Sequence, residues 1–575
     1  MLKKLLSYVR QYTLPSILTP LTVILEVILE VNIPLLMANI VDKGIANGDL
    51  PYILQQGGLM VLMAVGAMLC GALSARFAAV ASNGSAKNLR IALFDRIESF
   101  SFKNTDKFST ASLVTRMTTD VTNMQTSYQM CIRLMARSPM MLILATIMAY
   151  RISPSLSVII LCAIPVLGVT MFFISKAAYP RFQAMLKQYD QMNADAQENL
   201  IAIRVVKAFV RGDHETVKFE DSVRAVKNAQ LKAEKLLIVT SPVMQLTMYV
   251  CIIAVIWFGG QDIVAGQLQT GQLMSFISYI SQILMALMMI TMAFVTFVLS
   301  SASAKRICEV LDEVPAVGEE KAIAGSKPQD GSIRFADVSF SYAEDPENLT
   351  LSHVNLDIAS GETIGIIGGS GAAKTTFVQL IPRLYDVLSG SLQVGGRDVR
   401  EYPIEALREE IGMVMQKNVL FSGTIAENIR WGKPDATDEE VEQACRAAQA
   451  HDFITSFPDG YQTVLGQGGV NVSGGQKQRL CIARALIKKP KIIILDDSTS
   501  AVDTATDAKI REAFSKQLSD TTTLIIAQRI ASVMDADRII VINDGKIDAV
   551  GTHEELLASN EIYQEVFHSQ QKGVA

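Results

Sequence analysis

The chain lacks the spacing that cysteine frameworks need. Its seven cysteines stand at 70, 131, 162, 251, 308, 445 and 481, and no two form a CxxC pair. Most lie in apolar stretches, as small buried side chains do in a reducing compartment. No metal-binding constellation is present, and the five histidines (214, 353, 451, 553, 568) are dispersed. The start, Met1 to Arg10, has the charge of a signal-peptide leader but no small-residue cleavage motif, so it reads as an amphipathic helix lying on a membrane. Basic residues are scarce in the second half: residues 311–575 hold 25 Lys/Arg against 39 Asp/Glu, a balance of −14. That argues against nucleic acid as a partner. Residues 1–310 hold 27 against 18, a balance of +9, so the two halves present different surfaces. At 575 residues the chain needs two or three domains.

What the first half has is long apolar runs. Six segments, near 14–40, 53–80, 132–150, 155–177, 240–260 and 271–300, are each long enough for a helix to cross about 30 Å of hydrocarbon. Lys and Arg set their orientation. The stretch 81–137 carries Lys87, Arg90, Arg96, Lys103, Lys107, Arg116, Arg133 and Arg137, and 176–235 carries eleven more. The links at 41–52, 151–154 and 261–270 carry only Lys43 and Arg151. Both termini and the two long connections therefore read as cytoplasmic. Those connections have helical polar faces, so the membrane helices should extend beyond the bilayer. At their tips, 110–120 and 206–213 read as short amphipathic pieces able to lie on another domain, the second ending at Gly212.

Glu26 and Glu30 share one face of the first span, where ionised carboxylates must face protein or water. They either line a cavity that attracts cations or carries protons, or are paired structurally near a bilayer boundary. Tyr249, Trp257 and Tyr279 read as interface anchors. Met274, Met285, Met288, Met289 and Met292 of the sixth span are either ordinary packing or the wall of a pliable pocket.

The spans give a membrane domain over 1–310, a polar Pro/Gly-containing linker over 311–331 and a soluble domain over 332–575. The soluble domain opens with alternating strands at Ser332–Phe335 and Val338–Phe340. Its central stretch runs from Gly365 to Thr376: an apolar strand, a glycine-rich turn (Gly368, Gly369, Ser370, Gly371, Ala372, Ala373) and a helix start at Lys374-Thr375-Thr376. Backbone N–H groups and the helix end make such a turn a phosphate nest. Lys374 reaches the β/γ-phosphates and Thr375 offers its hydroxyl to Mg²⁺. Ala373 breaks the strict pattern, which has glycine there; a glycine-type backbone angle would cost alanine about 1 kcal/mol. Further on, Ile492–Asp497 is an apolar strand ending in two acids, a source of a Mg²⁺ carboxylate. Val472–Gln476 opens a helix as a second phosphate-binding N-terminus. Gln416 follows the strand 411–415, and Gln528 ends the strand 524–528.

This set of motifs, with Ser473-Gly474-Gly475-Gln476 the most specific, resembles the ATP-binding cassette exporters over essentially the whole chain. The resemblance implies an all-α six-helix transmembrane domain of exporter type fused to an α/β P-loop ATP-binding cassette, using ATP and Mg²⁺. It implies that Tyr342 stacks on adenine, that Gly368 to Thr376 hold the phosphates, and that Gln416 stands near Mg²⁺ and the attacking water. It makes Asp496 the Mg²⁺ carboxylate, and Val472–Gln476 the signature, with Val where Leu is usual. It matches Ser500–Asp503 to the loop between cassettes, and 110–120 and 206–213 to the coupling helices. Such cassettes pair head to tail, each ATP lying between one chain's phosphate loop and the other's signature.

The departures fall on one side. Asp497 stands for the catalytic Glu, Gln528 for the switch His, Ala373 for Gly, and Gln467 where Glu is common. The expectation is one half of a heterodimeric bacterial exporter in the cytoplasmic membrane, with a weakened site of its own and an intact signature serving a second half-transporter. Its cargo by resemblance is amphipathic drugs or lipid-like compounds. A homodimeric exporter and a nucleotide-gated or regulatory membrane subunit are the competing expectations.

Overall fold

The computed structural model describes residues 1–497, 504–517 and 520–572. The chain forms two compact units, Met1–Glu98 with Thr110–Glu313, and Ser99–Ser109 with Val314–Ala575.

The first unit is helical. Among the described residues six helices are long and apolar enough to cross a membrane: Lys3–Ile45, Leu50–Glu98, Thr110–Ile152, Pro154–Ile201, Gly212–Val264 and Thr270–Ala293, the last being the apolar part of a helix that runs to Asp312. At 1.5 Å per residue the 53-residue Gly212–Val264 helix is about 80 Å long, so more than half of it lies outside about 30 Å of hydrocarbon. Helix ends follow local chemistry. Ser153 caps the fourth span by accepting the Leu156 N–H at 3.3 Å, and Pro154 sits at the first turn, where no amide donor is needed. The core is a helical stripe: Val23, Val27 and Val31 of the first span pack with Met141, Ala145 and Ala149 of the third and Phe276, Ile280 and Ile283 of the sixth.

Two sequence expectations change here, and one open alternative is narrowed. Tyr279 is no interface anchor: it is fully buried and its hydroxyl donates to the Val31 carbonyl at 2.8 Å, joining the sixth span to the first. The five sixth-span methionines are exposed on this chain's surface, so they do not pack within it. Glu26 and Glu30 both pair with Arg137 of the third span, the Glu30 contact at 2.6 Å. The structural pairing of the two acids is therefore the reading that the geometry matches.

The second unit contains two main sheets. With β1 Ile333–Phe340, β2 Leu351–Ile358, β3 Thr363–Ile367, β4 Ser389–Val394, β5 Arg397–Asp398, β6 Ile411–Val414, β7 Gly423–Thr424, β8 Val464–Leu465, β9 Ile492–Asp496, β10 Thr522–Ile526, β11 Arg538–Asn543 and β12 Lys546–Gly551, the antiparallel sheet runs β2-β1-β4-β5. The larger sheet runs β12-β11-β3-β10-β9-β6, and its members from β11 to β6 are parallel. β9 and β10 are buried along their whole length, which is why they read as continuous apolar runs rather than alternating ones.

The linker segment makes specific contacts with the second unit. Gly318 accepts a hydrogen bond from Arg383 at 2.8 Å, Ile323 donates to Glu401 at 2.8 Å, and Val317 is buried. From the first long connection, Ser99–Ser109 groups with this unit through the helix Phe102–Lys107, which a Ser101–Asn104 capping box starts. Residues 110–120 instead continue into the third membrane helix. At the other tip, helix Ile203–Ala208 is flanked by exposed Leu200, Ile201, Phe209 and Val210.

Candidate nucleotide site

Parallel strands in this order end side by side, and ligand sites form outside such carboxyl ends. β3 leads into Gly368–Ala373 and the helix Lys374–Leu380. Gly368 is required by space, because a Cβ there would lie 2.2 Å from the Ile542 carbonyl oxygen. Gly371 is required by its backbone, at φ +82°, and Ala373 takes the left-handed conformation at φ 71°, ψ 21°. That strain amounts to about 1 kcal/mol. No atom lies within 4 Å of a Cβ placed at Gly369 or Gly371. With Ser370 they form the exposed rim of the loop, while Ala372 anchors it in the core.

Lys374 folds over the loop and donates to the Gly368 and Gly369 carbonyls at 2.9 and 2.7 Å. Burial holds its ammonium pKa below the ordinary lysine value, and Asp497 and Asp496 oppose this. The Thr375 hydroxyl donates to the Asp496 carboxylate at 3.1 Å. Burial raises the Asp496 pKa; the Thr375 hydrogen bond and Lys374 pull it down, and Asp497 pushes it up. An open backbone cradle, a lysine bent onto its lip and a part-buried hydroxyl–carboxylate pair suit a nucleotide phosphate chain with a hard divalent cation.

The raised Asp496 pKa carries a stability consequence. The nucleotide-free protein binds the extra proton in the window from the ordinary value of 3.8 up to the raised one, so stability falls as pH rises through it and stays lower above. Asp496→Asn should therefore raise the melting temperature of the nucleotide-free protein at neutral pH, with the gain shrinking as pH falls toward the ordinary carboxylate value of 3.8. The same variant should weaken Mg²⁺-nucleotide binding. Thermal melts across pH, with and without Mg²⁺-ATP, check both signs.

Thr376 is buried, with its hydroxyl 3.0 Å from that of Tyr342. The Tyr342 ring is 45% exposed and stands edge-on to Phe340 at 4.9 Å and Tyr385 at 5.2 Å. Asp497 follows Asp496 in a left-handed backbone conformation, φ 48°. Its Oδ2 accepts from Gln528 Nε2 at 2.7 Å, and the Gln416 side chain also hydrogen-bonds to it. Burial raises its pKa and both glutamines lower it. Lys374, Thr375, Gln416, Asp496, Asp497 and Gln528 thus converge from the ends of β3, β6, β9 and β10.

Ser473 caps the helix Gly474–Leu486. Its hydroxyl accepts the Gln476 N–H at 3.3 Å, and its own N–H donates to the Gln476 side chain at 2.8 Å. Ser473 and Gly474 are exposed, and among the described residues no hydrogen bond joins 473–476 to the phosphate loop. Ser500–Asp503 lie outside the described residues.

Two contributors escaped the sequence reading. Gln478 is buried and donates to the Asp497 carbonyl at 3.3 Å, tying the signature helix to the acid strand. Its signal was a polar residue on the apolar face of that helix. Tyr385 links Tyr342 to Asp106, which accepts its hydroxyl at 2.6 Å, and no sequence spacing announces that contact.

A P-loop nucleotide-binding unit fused to six candidate spans defines an ATP-driven membrane transporter, and comparison gives the family. Residues 16–287 match the model of the ABC transporter transmembrane region and 351–500 that of ABC transporter. An uncharacterized ABC transporter ATP-binding protein, YfiB of Bacillus subtilis, is 39% identical over 99% of this chain and 98% of its own. An ATP-dependent lipid A-core flippase of Desulfotalea psychrophila is 32% identical over 84% of each chain. The structure of a bacterial Atm1-family ABC exporter with ATP bound superposes with a TM-score of 0.84 at 25% identity, covering 98% of this chain and 99% of that one. The chain belongs to the ATP-binding cassette exporters, as a half-transporter with transmembrane and ATP-binding domains in one polypeptide.

Proposed function

We propose that this chain is one half of a heterodimeric exporter that moves amphipathic drugs or lipid-like compounds across a bacterial cytoplasmic membrane, with its termini and cassette on the cytoplasmic side. Its own phosphate loop holds nucleotide and turns it over slowly, while its signature completes a competent site on a second half-transporter chain. Gly368–Thr376 and Tyr342 hold the nucleotide, and Thr375, Asp496 and Gln416 hold Mg²⁺, which when bound withdraws charge from the phosphates. The observation carrying this reading is the Gln528–Asp497 hydrogen bond of 2.7 Å. The acid placed to orient water is one methylene shorter than Glu and is held by a neutral amide, so it holds the water off line, and misplacement by about 1 Å costs about 100-fold in rate. The lipid A flippase among the relatives supports lipid-like cargo. The test is ATP turnover by the purified chain alone and with a co-expressed second half-transporter: the reading expects turnover to need the partner, and robust turnover by the chain alone defeats it.

For coupling, the helix Phe102–Lys107 serves as the docking piece on the cassette side, with 206–213 as the second tip. Phe102 meets the Tyr385 ring edge-on at 6.1 Å, and the Tyr385 hydroxyl donates to Asp106. Burial and Asp106 both push the Tyr385 phenol pKa up, so it stays a neutral donor. Tyr385→Phe removes a charge-assisted bond worth about 1.5–3 kcal/mol. It should lower cargo-stimulated ATP turnover about tenfold while leaving nucleotide affinity unchanged. A fluorescent-nucleotide titration run beside the turnover assay separates the two.

A further inference from the structure

We propose that a cavity between the first and third membrane helices binds an amphiphile carrying a single oxyanion, recognised by Arg133; this rests on the exporter reading. The cavity has a volume of about 580 Å³ and is lined by Glu26 and, from the third span, by Thr126, Gln129, Met130, Leu134, Arg133 and Arg137. Two carboxylates in the first span suggest, by themselves, a site for cations. The cavity lining itself carries two guanidinium groups, Arg133 and Arg137, against one carboxylate, Glu26. Arg137 engages both Glu26 and Glu30. The second Glu26 oxygen is buried without a hydrogen-bond partner, and the carboxylate lies 3.2 Å from where a Cβ of Gly71 would be, so it is turned toward the second span.

Arg133, one turn before Arg137 on the same face, has no ion-pair or hydrogen-bond partner among the described residues. The one cation in the cavity left without a carboxylate is therefore Arg133. A guanidinium left bare in hydrocarbon is expensive, so this face meets water or an anion. Its surroundings are graded: the Gln129 amide and Thr126 hydroxyl are polar, whereas Met130 and Leu134 are apolar. That combination matches a charged head joined to an apolar body. Depth agrees. Arg133 lies 19 residues before the helix end at Ile152, about 28 Å along a span of about 30 Å, close to the opposite membrane surface where an amphiphile's head resides.

The test is equilibrium dialysis of radiolabelled dodecyl phosphate and dodecyltrimethylammonium against the full chain in phosphatidylcholine nanodiscs, without nucleotide and with empty discs subtracted. The wild type should bind the phosphate saturably and about tenfold tighter than the cation. Arg133→Gln should abolish that preference, Arg133→Lys should keep it, and Arg133→Glu should reverse it. Gel filtration verifies folding, which Arg133, lacking partners, does not support. Unchanged preference in Arg133→Gln, preference of the wild type for the cation, or displacement of dodecyl phosphate by inorganic phosphate each overturns the proposal. Because binding is read without turnover, these outcomes are independent of whether the chain exports anything.

Discussion

Ser473→Arg in the assembled two-chain transporter should lower ATP turnover by at least about 100-fold, whereas Asp497→Ala in the same complex should change it by less than about twofold. The asymmetry follows from which composite site each residue serves. Ser473 caps the Gly474–Leu486 helix and stands exposed, and among the described residues no hydrogen bond joins it to its own phosphate loop. An arginine there fills the space a partner's nucleotide needs, and the lost cap costs only about 1 kcal/mol of local stability, so folding survives. Asp497 belongs to the site already weakened by a short acid and an amide. Phosphate release at saturating ATP measures both variants. Equal losses, or a larger loss for Asp497→Ala, would refute the division of labour.

The second large effect is a gain. Asp497→Glu combined with Gln528→His should raise ATP turnover at this chain's own phosphate loop by about 10–100-fold. The glutamine now donates to the aspartate at 2.7 Å, so the two side chains form a closed pair. Glutamate adds the methylene that brings a carboxylate to water, and imidazole replaces an amide that cannot become charged. Neither single change should suffice, because Glu alone stays tied to the amide and His alone faces a carboxylate that is too short. The readout is single-turnover hydrolysis in a complex whose partner phosphate-loop lysine is replaced, leaving only this site. No gain in the double variant would place the defect elsewhere, with Ala373 the next residue to revert.

Both effects rest on residues legible in the sequence because chemistry fixes their spacing. Lys374 and Asp496 can be read from glycine spacing and from an acid at the end of an apolar strand, since phosphate and Mg²⁺ impose those patterns locally. The six spans were equally legible, as hydrocarbon thickness imposes a length. What stayed hidden depends on contacts between distant stretches. Arg137 lies 107 residues from Glu30, so nothing in the first span shows that its acids share an arginine partner. Tyr279 has the composition of an anchor, and only the Val31 carbonyl reveals it as a strut. The linker has the polarity of a tether, yet its hydrogen bonds to Glu401 and Arg383 come from residues far along the chain.

The length of the Gly212–Val264 helix has a mechanical corollary. It is unbroken over 53 residues despite Pro242, so it acts as one stiff rod. With about 30 Å in the bilayer, roughly 50 Å project on one side. A tilt of about 10° about a fulcrum at the membrane surface then carries the tip by roughly 9 Å, while atoms deep in the membrane shift only a few ångströms. Leverage of this kind lets small repacking of side chains among the spans become a displacement as large as a helix is wide.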